Sequence, residues 1–167
     1  MEGTLLGDGS IRTHGVLPDT DTFTVSSLIG ARTIQAVRLD AINDPALPRQ
    51  GPGHHDFGNF VLTEFQMQVN LKPVGSTWTS IAFSAAFSDY SQPQWLVRQA
   101  IDQNPKTGWA IHPRSAQNHY AVFLLKKPLE ITSGARIRFQ LTHDFGQSAL
   151  LGRFNLSVTV ASHAVET

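Results

Sequence analysis

The chain has 167 residues, with thirteen basic and thirteen acidic side chains and therefore no formal net charge at neutral pH. This balance gives no electrostatic reason to expect nucleic acid or an anionic membrane as a partner. The absence of cysteine excludes disulfides, thiolate metal sites and a cysteine nucleophile. The length fits a single domain covering residues 1–167, with an ordered core from about residue 8 to residue 161. No apolar run is long enough for membrane insertion.

Turns separate short segments rich in β-branched and aromatic residues, a pattern that predicts an all-β antiparallel sandwich. A short edge strand is expected at residues 8–15, and residues 93–100 are the one helix-like piece. The remaining predicted strands are residues 22–27, 33–42, 59–71, 78–88, 119–125, 135–143 and 152–161.

Two of these strands, residues 59–71 and 119–125, carry apolar residues on both faces, which indicates a central position in a sheet. Glu64 lies within the first of them. A lone carboxylate on such a surface is costly, so Glu64 needs a partner. A cation near Asp102 or one of the arginines would serve.

The loop at residues 43–58 contains His54, His55 and Asp56. These residues could form a transition-metal enzyme site, or they could be ordinary polar loop residues in water. Adjacent side chains of an extended chain point in opposite directions, so the two histidines do not easily share one metal. The polar-loop interpretation is favoured.

Aromatic and amide residues occur together in two further loops, at residues 90–97 and 111–118. An aromatic ring can stack on the apolar face of a sugar while amides reach its hydroxyls. The bulkiest of them, Trp95, could equally be a core or lid residue. The candidate ligand-binding residues are Tyr90, Gln92, Trp95, His112, Arg114 and Asn118.

The densest turn chemistry lies at residues 100–109, which read A-I-D-Q-N-P-K-T-G-W. Asp102 and Asn104 are two residues apart, so their side-chain oxygens can converge, and Thr107 adds a hydroxyl. Oxygen ligands from one tight loop suit calcium. The alternative, favoured on spacing alone, is a turn in which Asp102 and Asn104 bond the loop's own amides without an ion.

This segment resembles the A-I-D-G-x-P-x-T-x-W signature of the galactose-binding-like β-sandwiches, with Gln103 where that family has glycine. The family includes discoidin and coagulation-factor C-type domains and many carbohydrate-binding modules. The flanks, residues 85–92 and 124–128, resemble the family's neighbouring strands, although the second lacks the usual Asp and Gly. The resemblance implies a jelly-roll sandwich.

The family's signature loop usually holds a structural calcium, which the resemblance places at Asp102, Asn104 and Thr107. A further ligand in the family is a glutamate in an L-x-E-I/F strand near the C-terminus. The matching run here, residues 62–65, supplies Glu64 but precedes the signature. The order of elements is therefore expected to be circularly permuted.

A closer resemblance covers residues 8–159 and is to the sandwich domain of large multidomain bacterial proteins with a cytochrome-c-like front end. It implies a parent protein with other domains as partners and an extracellular, cell-surface or periplasmic location. It implies no defined activity. The shared runs are residues 8–10, 36–39, 44–48, 51–53, 58–65, 108–111 and 151–154.

No nucleophile elbow, phosphate-binding loop, dinucleotide fingerprint or His-Glu-x-x-His motif occurs. We therefore expect a noncatalytic carbohydrate-binding module that recognises a polysaccharide or glycan. The alternative is a structural or protein-docking domain, which a contiguous apolar patch would indicate. The outward positions of the last strands could form a face for acidic glycans or an ordinary solvated face. Those positions are Arg136, Arg138, Gln140, Arg153 and Asn155.

Overall fold

The computed structural model describes residues 1–72, 75 and 77–160. Within these residues the chain is all-β, and two antiparallel sheets of six and four strands pack face to face. The predicted sandwich is thereby confirmed. The described residues contain no α-helix, only 3₁₀ turns at Pro48–Gln50 and Val97–Ile101. Nor do they contain a helix long and apolar enough to cross a membrane.

The six-stranded sheet has the spatial order β1-β2-β12-β4-β10-β8, numbered along the chain. Strands β4 and β10 are interior in this sheet. For β10 this agrees with the prediction made from the two apolar faces of residues 119–125. The strands are β1 (Glu2–Leu5), β2 (Ile11–His14), β4 (Arg32–Ala41), β8 (Phe83–Ser88), β10 (His119–Ile131) and β12 (Arg153–Val160).

The four-stranded sheet has the order β3-β11-β6-β7. The short strands β5 and β9 form a separate two-stranded sheet. Strand β11 shows why the alternating pattern folds this way, because Ile137, Phe139 and Leu141 face the core while Arg138 and Gln140 face outward. The strands are β3 (Asp21–Ile29), β5 (Val61–Leu62), β6 (Glu64–Asn70), β7 (Thr79–Ile81), β9 (Trp109–Ala110) and β11 (Ala135–His143).

Phe65 joins the two sheets at the centre of the core. Its ring stacks on Phe123 of the opposite sheet at 4.3 Å between centroids, and on Phe83 and Phe139 at 5.5 and 5.9 Å. Burying aromatic rings of this size supplies much of the stabilisation of such a core. Trp109, the last residue of the 100–109 segment, is fully buried.

Two predicted strands are each divided. The segment predicted as one strand over residues 78–88 leaves the smaller sheet after Ile81 and enters the larger sheet at Phe83. The segment predicted over residues 59–71 is interrupted at Thr63, whose N–H donates to the carbonyl of Thr142 at 2.8 Å. Residue 161, predicted as the end of the last strand, lies outside the described residues, as do residues 162–167 and residues 73, 74 and 76.

Four long loops meet at one end of the sandwich, which we call the loop end. The register of the larger sheet brings the ends of its strands together here, because His119 pairs with Ala41, Ala121 with Ser88, and Phe154 with Ala41. The loops that leave these strand ends therefore converge. They cover residues 42–60, 89–108, 111–118 and 144–152.

Arg153 ties this end together. Its Nη2 donates to Asp8 at 2.6 Å and its Nε to the Ser10 hydroxyl at 3.0 Å, while Nη1 lies 3.6 Å from the buried carboxylate of Asp44. These contacts therefore join the start of the chain, the 42–60 loop and strand β12.

Candidate functional site

The loop at residues 100–109, which we call the signature loop, is closed by hydrogen bonds to its own side chains. Asp102 accepts the N–H of Asn104 at 2.9 Å on one oxygen and the Thr107 hydroxyl at 2.8 Å on the other. Asn104 Oδ1 accepts the N–H of Lys106 at 3.1 Å. Gln103, where the family has glycine, adopts a left-handed φ of 61°. The self-bonded turn favoured by the spacing is therefore present.

Glu64 lies against this loop. The N–H of Gln103 donates to Glu64 Oε2 at 3.0 Å. Partial burial raises the pKa of Glu64 to about 7, and the Asp102 charge adds to the rise, although the Gln103 hydrogen bond opposes it. In the described part of the chain neither carboxylate forms an ion pair with a lysine or arginine. The arginine partner considered for Glu64 is thus not found there.

The chemistry of this cluster fits calcium in its donor set. Glu64 and Asp102 provide carboxylates, Asn104 an amide oxygen and Thr107 a hydroxyl, all of them hard oxygen donors. The two carboxylates lie near one another without a compensating cation among the described residues, and like charges at short range disfavour each other. The internal hydrogen bonds already give the loop its shape.

Tyr90, His112 and Arg114 are brought together at the loop end. The Arg114 guanidinium lies 4.4 Å above the Tyr90 ring centroid, and the Tyr90 hydroxyl donates to the His112 carbonyl at 3.3 Å. The Tyr90 carbonyl accepts the Trp109 indole N–H at 3.0 Å. Tyr90 therefore supports Arg114 with one ring face and is anchored to the core from below.

Trp95 and Gln92 form a second part of the same end. The Trp95 ring is half-buried and meets Phe145 edge-on, with 5.1 Å between centroids. Gln92 Oε1 accepts the Asn59 amide at 3.3 Å, which leaves the Gln92 amide nitrogen available as a donor. The sequence pattern had singled out Trp95 but not its exposed neighbour Phe145.

Asn118 has an anchoring role in the structure. Its Oδ1 accepts the N–H of Asn43 at 2.8 Å and so joins the start of the 42–60 loop to the 111–118 loop. The amide nitrogen of Asn118 has no such bond among the described residues. This residue therefore lies at the loop end with the other candidates, although one of its two functional groups is already used.

The most accessible aromatic ring at the loop end is Phe57, which the sequence analysis did not select. It is 54% exposed. Its ring centroid lies 5.5 Å from that of His55 and 5.7 Å from that of His112, so the three rings form a continuous strip. An aromatic residue between Asp56 and Gly58 in a polar loop was the available signal. We call Phe57, His55 and His112 the Phe57 strip.

His54 and His55 turn to different partners. His54 Nε2 is 2.8 Å from the Thr13 hydroxyl, and burial lowers the pKa of His54. His55 Nε2 lies 3.3 Å from the side-chain oxygen of Gln147. The two rings do not converge, in agreement with the alternation expected of an extended chain. Over the described ranges, no three histidine, cysteine or acidic side chains are grouped to hold a metal.

The 42–60 loop that carries Phe57 folds tightly on itself. The N–H of Gly53 donates to the carbonyl of Gly58 at 3.1 Å. A Cβ atom on Gly53 would lie only 2.0 Å from the carbonyl oxygen of Asn59. The close approach of the two arms requires glycine there, and it fixes the position from which Phe57 projects.

Comparison with known proteins gives no relative. No family model matches the chain, and no curated protein or solved structure matches it.

Proposed function

We propose that the chain is a noncatalytic carbohydrate-binding module that recognises a polysaccharide at its loop end. The observation that carries the proposal is the Phe57 strip, an exposed aromatic surface flanked by polar side chains from three loops. Sugar sites combine an apolar face with a few oriented polar groups. Phe57 supplies such a face next to His55 and His112.

The polar groups around the strip support the same function. Arg114 has no carboxylate partner in the described ranges and is held by the Tyr90 ring. Gln92 is oriented by Asn59 and keeps its amide donors. Held side chains lose less freedom when a ligand binds, which favours affinity. A single sugar should still bind weakly, with a Kd on the order of micromolar to millimolar.

We also propose that Asp102, Asn104, Thr107 and Glu64 hold a structural calcium ion. The support is the pair of neighbouring carboxylates described above and the oxygen-only donor set. The ion would supply positive charge between Glu64 and Asp102. The chain's own contribution is to position these oxygens through the Gln103 and Asn104 hydrogen bonds.

The glycan proposal is tested by retention on insoluble polysaccharides and by a glycan array, with calcium and with chelator. We expect retention on one class of polymer. Replacing Phe57 by Ala should weaken that retention by about fivefold, since an aromatic contact contributes on the order of 1 kcal/mol.

The matched control is Phe87→Ala, because Phe87 is similarly exposed, at 58%, but lies on the outer face of the larger sheet. Retention that falls equally in both variants, or in neither, would contradict a site at the Phe57 strip. Trp95→Ala and Arg114→Ala then test the other candidates one by one.

The second candidate function is a docking domain within a larger protein, and one surface favours it. Phe87, Val122 and Leu124 form an apolar patch on the outer face of the larger sheet, beside Tyr120. Arg38 lies 4.1 Å over the Tyr120 ring and is paired with Asp40 at 2.8 Å, so the patch is close to neutral. A flat, neutral patch fits an apolar surface of a neighbouring domain.

Hydrogen exchange tests this second candidate. In the intact parent protein, strand β8 should exchange more slowly than in the isolated chain, because a docked domain would cover its outer face. Equal exchange of β8 in the two samples would sink the docking candidate.

A further inference from the structure

The outer face of the four-stranded sheet carries mainly amide, hydroxyl and guanidinium groups, with the exposed Leu28 opposite Arg136 and Glu64 in the last row. The strand register places the outward side chains in four rows across β3, β11 and β6. One row contains Arg138 opposite Ser26 and Gln68, and the next contains Gln140 opposite Thr24 and Gln66. Such rows present closely spaced donors and acceptors of the kind that bond a polyhydroxylated chain.

Arg138 is fixed in orientation without being neutralised. Its Nε donates to Gln68 Oε1 at 2.8 Å, and a second guanidinium nitrogen shares the same oxygen. Its guanidinium carbon lies 4.2 Å above the Trp78 ring centroid. Both supports are uncharged, and no carboxylate pairs with Arg138 among the described residues. Its positive charge is therefore available to a ligand.

Two arginines of the larger sheet are paired with carboxylates instead. Arg38 pairs with Asp40, and Arg153 with Asp8, each through a carboxylate within 2.8 Å. An arginine that is held by an amide and an aromatic ring keeps its charge and loses its mobility, which is how a preorganised anion site is built. In the described ranges, Arg138 alone combines contacts to both kinds of support.

A second arginine extends this charge along the same strand. Arg136 is two residues from Arg138 on the same face of β11, roughly 7 Å away by strand geometry. It is exposed and has no carboxylate partner in the ranges that the structure describes. The acidic residue of this face, Glu64, lies opposite Thr142 in the row farthest from Arg136. One end of the face is therefore basic.

A groove lies at the edge of the same sheet. Strand β7 pairs with β6 only from Met67 to Val69, and the chain then crosses to the other sheet. The first part of β6 therefore has no neighbouring strand on that side among the residues that the structure describes. The resulting cavity has a volume of about 400 Å³. Gln66, Gln68 and Ser80 line it together with apolar residues such as Ile81. Its other end is lined by Glu64 and by Ile101 and Gln103 of the 89–108 loop. Amides above an apolar floor suit a sugar ring.

We propose that this face binds an acidic polysaccharide, with uronate carboxylates on Arg138 and Arg136 and sugar hydroxyls on Gln66, Gln68 and Gln140. The inference takes its ligand class from the proposed carbohydrate-binding function, but the two arginines and three glutamines lie on strands β6 and β11, outside the four loops of the loop end. We name it the Arg138 face. A bidentate guanidinium–carboxylate pair provides the orientation and the amides read the hydroxyls.

The test uses polygalacturonate and its methyl ester as probes in affinity gel electrophoresis and calorimetry. The two polymers share a backbone and differ in charge. The wild-type chain should bind polygalacturonate and lose that binding as salt rises, since exposed charge pairs are screened. The methyl ester should be bound at least about tenfold more weakly, because the charge-assisted bonds are lost.

Arg138→Gln and Arg136→Gln should each weaken polygalacturonate binding by about tenfold. Arg138→Lys should restore part of it, because charge is kept while the planar fork is lost. The control is Arg98→Gln, an exposed arginine on the 3₁₀ turn at Val97–Ile101. Thermal unfolding confirms that each variant is folded.

The outcomes separate this face from the Phe57 strip. If the Arg138 face is the site, Phe57→Ala leaves polygalacturonate binding unchanged. Binding of polygalacturonate and its ester with equal strength would overturn the proposal, as would unchanged binding by Arg138→Gln or no binding by the folded wild-type chain. Failure of the loop-end proposal would give a different result, because the Phe57→Ala variant would then bind neutral glycans as well as the wild type does.

Discussion

The main-chain N–H of Gln103 donates to Glu64 Oε2 at 3.0 Å, so a residue at the start of β6 is joined to a loop that follows it by 39 positions. This bond favours the ionised carboxylate. Burial and the charge of Asp102 oppose it and prevail, since the pKa of Glu64 is raised to about 7. The charged form of Glu64 is therefore disfavoured at the place where β6 meets the signature loop.

Glu64 should make the chain less stable at alkaline pH. Folding raises its pKa from 4.5 to about 7, so the folded state holds the proton more tightly than the unfolded state. The stability from this group is present below its unfolded pKa and is lost as pH rises through about 7. In chelator, Glu64→Gln should reduce the difference in Tm between about pH 5 and about pH 8. Glu130→Gln, which changes an exposed carboxylate of β10, is the control. Identical pH profiles for the wild type and Glu64→Gln would contradict the argument.

Calcium should reverse this cost. If the ion lies between Glu64 and Asp102, adding it at about one hundred times its Kd stabilises the wild-type chain by about 2.7 kcal/mol. Glu64→Gln and Asp102→Asn should lose this gain, and thermal unfolding with calcium, with magnesium and with chelator measures it. Magnesium should act weakly, because it demands stricter geometry. A wild-type Tm that does not respond to calcium would count against the ion.

His143 should make the chain sensitive to acid. Its ring is fully buried and its Nε2 accepts the N–H of Leu151 at 3.3 Å, and burial lowers the pKa of His143 from 6.5 to about 3. Because the folded pKa is lowered, the stability is present above pH 6.5 and is lost as pH falls towards 3. Each pH unit inside that window costs up to about 1.4 kcal/mol.

The measurement is the free energy of unfolding in urea at several acidic pH values. His143→Gln should flatten its fall with pH relative to the wild type, while His112→Gln, at an exposed site, should not. Glu64 titrates in the opposite sense within the same range, so the comparison is made between variants and the wild type. Equal slopes in all three proteins would show that His143 does not control acid stability.

Gly53→Ala should destabilise the chain strongly, because the new Cβ would lie 2.0 Å from the carbonyl oxygen of Asn59. Forcing atoms into a packed site costs about 1–3 kcal/mol, or more where backbone must move. The control is Gly7→Ala, since a Cβ on Gly7 meets no atom within 4 Å. Chemical denaturation of both variants tests the contrast. Equal stabilities would mean that the 42–60 loop is free to rearrange.

Local patterns were sufficient for much of the fold. The alternation of Ile137, Phe139 and Leu141 with polar residues predicts β11 because burial on one face is a property of the strand itself. The change of sheet at Ala82 was not predicted. Residues on both sides of Ala82 have similar strand character, and the choice of sheet is made by distant partners, Met67 for Ile81 and Leu125 for Phe83.

The candidate sites likewise combine local features, which the sequence predicts, with contacts between distant residues, which it does not. The turn from Asp102 to Thr107 was predicted because its hydrogen bonds span only five residues. The placement of Glu64 beside it came from the resemblance. The pairing of Arg138 with Gln68 joins residues 70 positions apart, and no local pattern encodes it. Phe57 was overlooked because its exposure depends on how the 42–60 loop folds back.

Arg153 couples the local stability of three segments at the loop end. One guanidinium holds Asp8 and Ser10 from the start of the chain and Asp44 from the loop that presents Phe57. Segments held by a single group open and close together, so slow amide exchange in these three places should rise and fall as one cooperative unit. The rigidity of the loop that presents Phe57 is then set at a distance, by the side chain of Arg153.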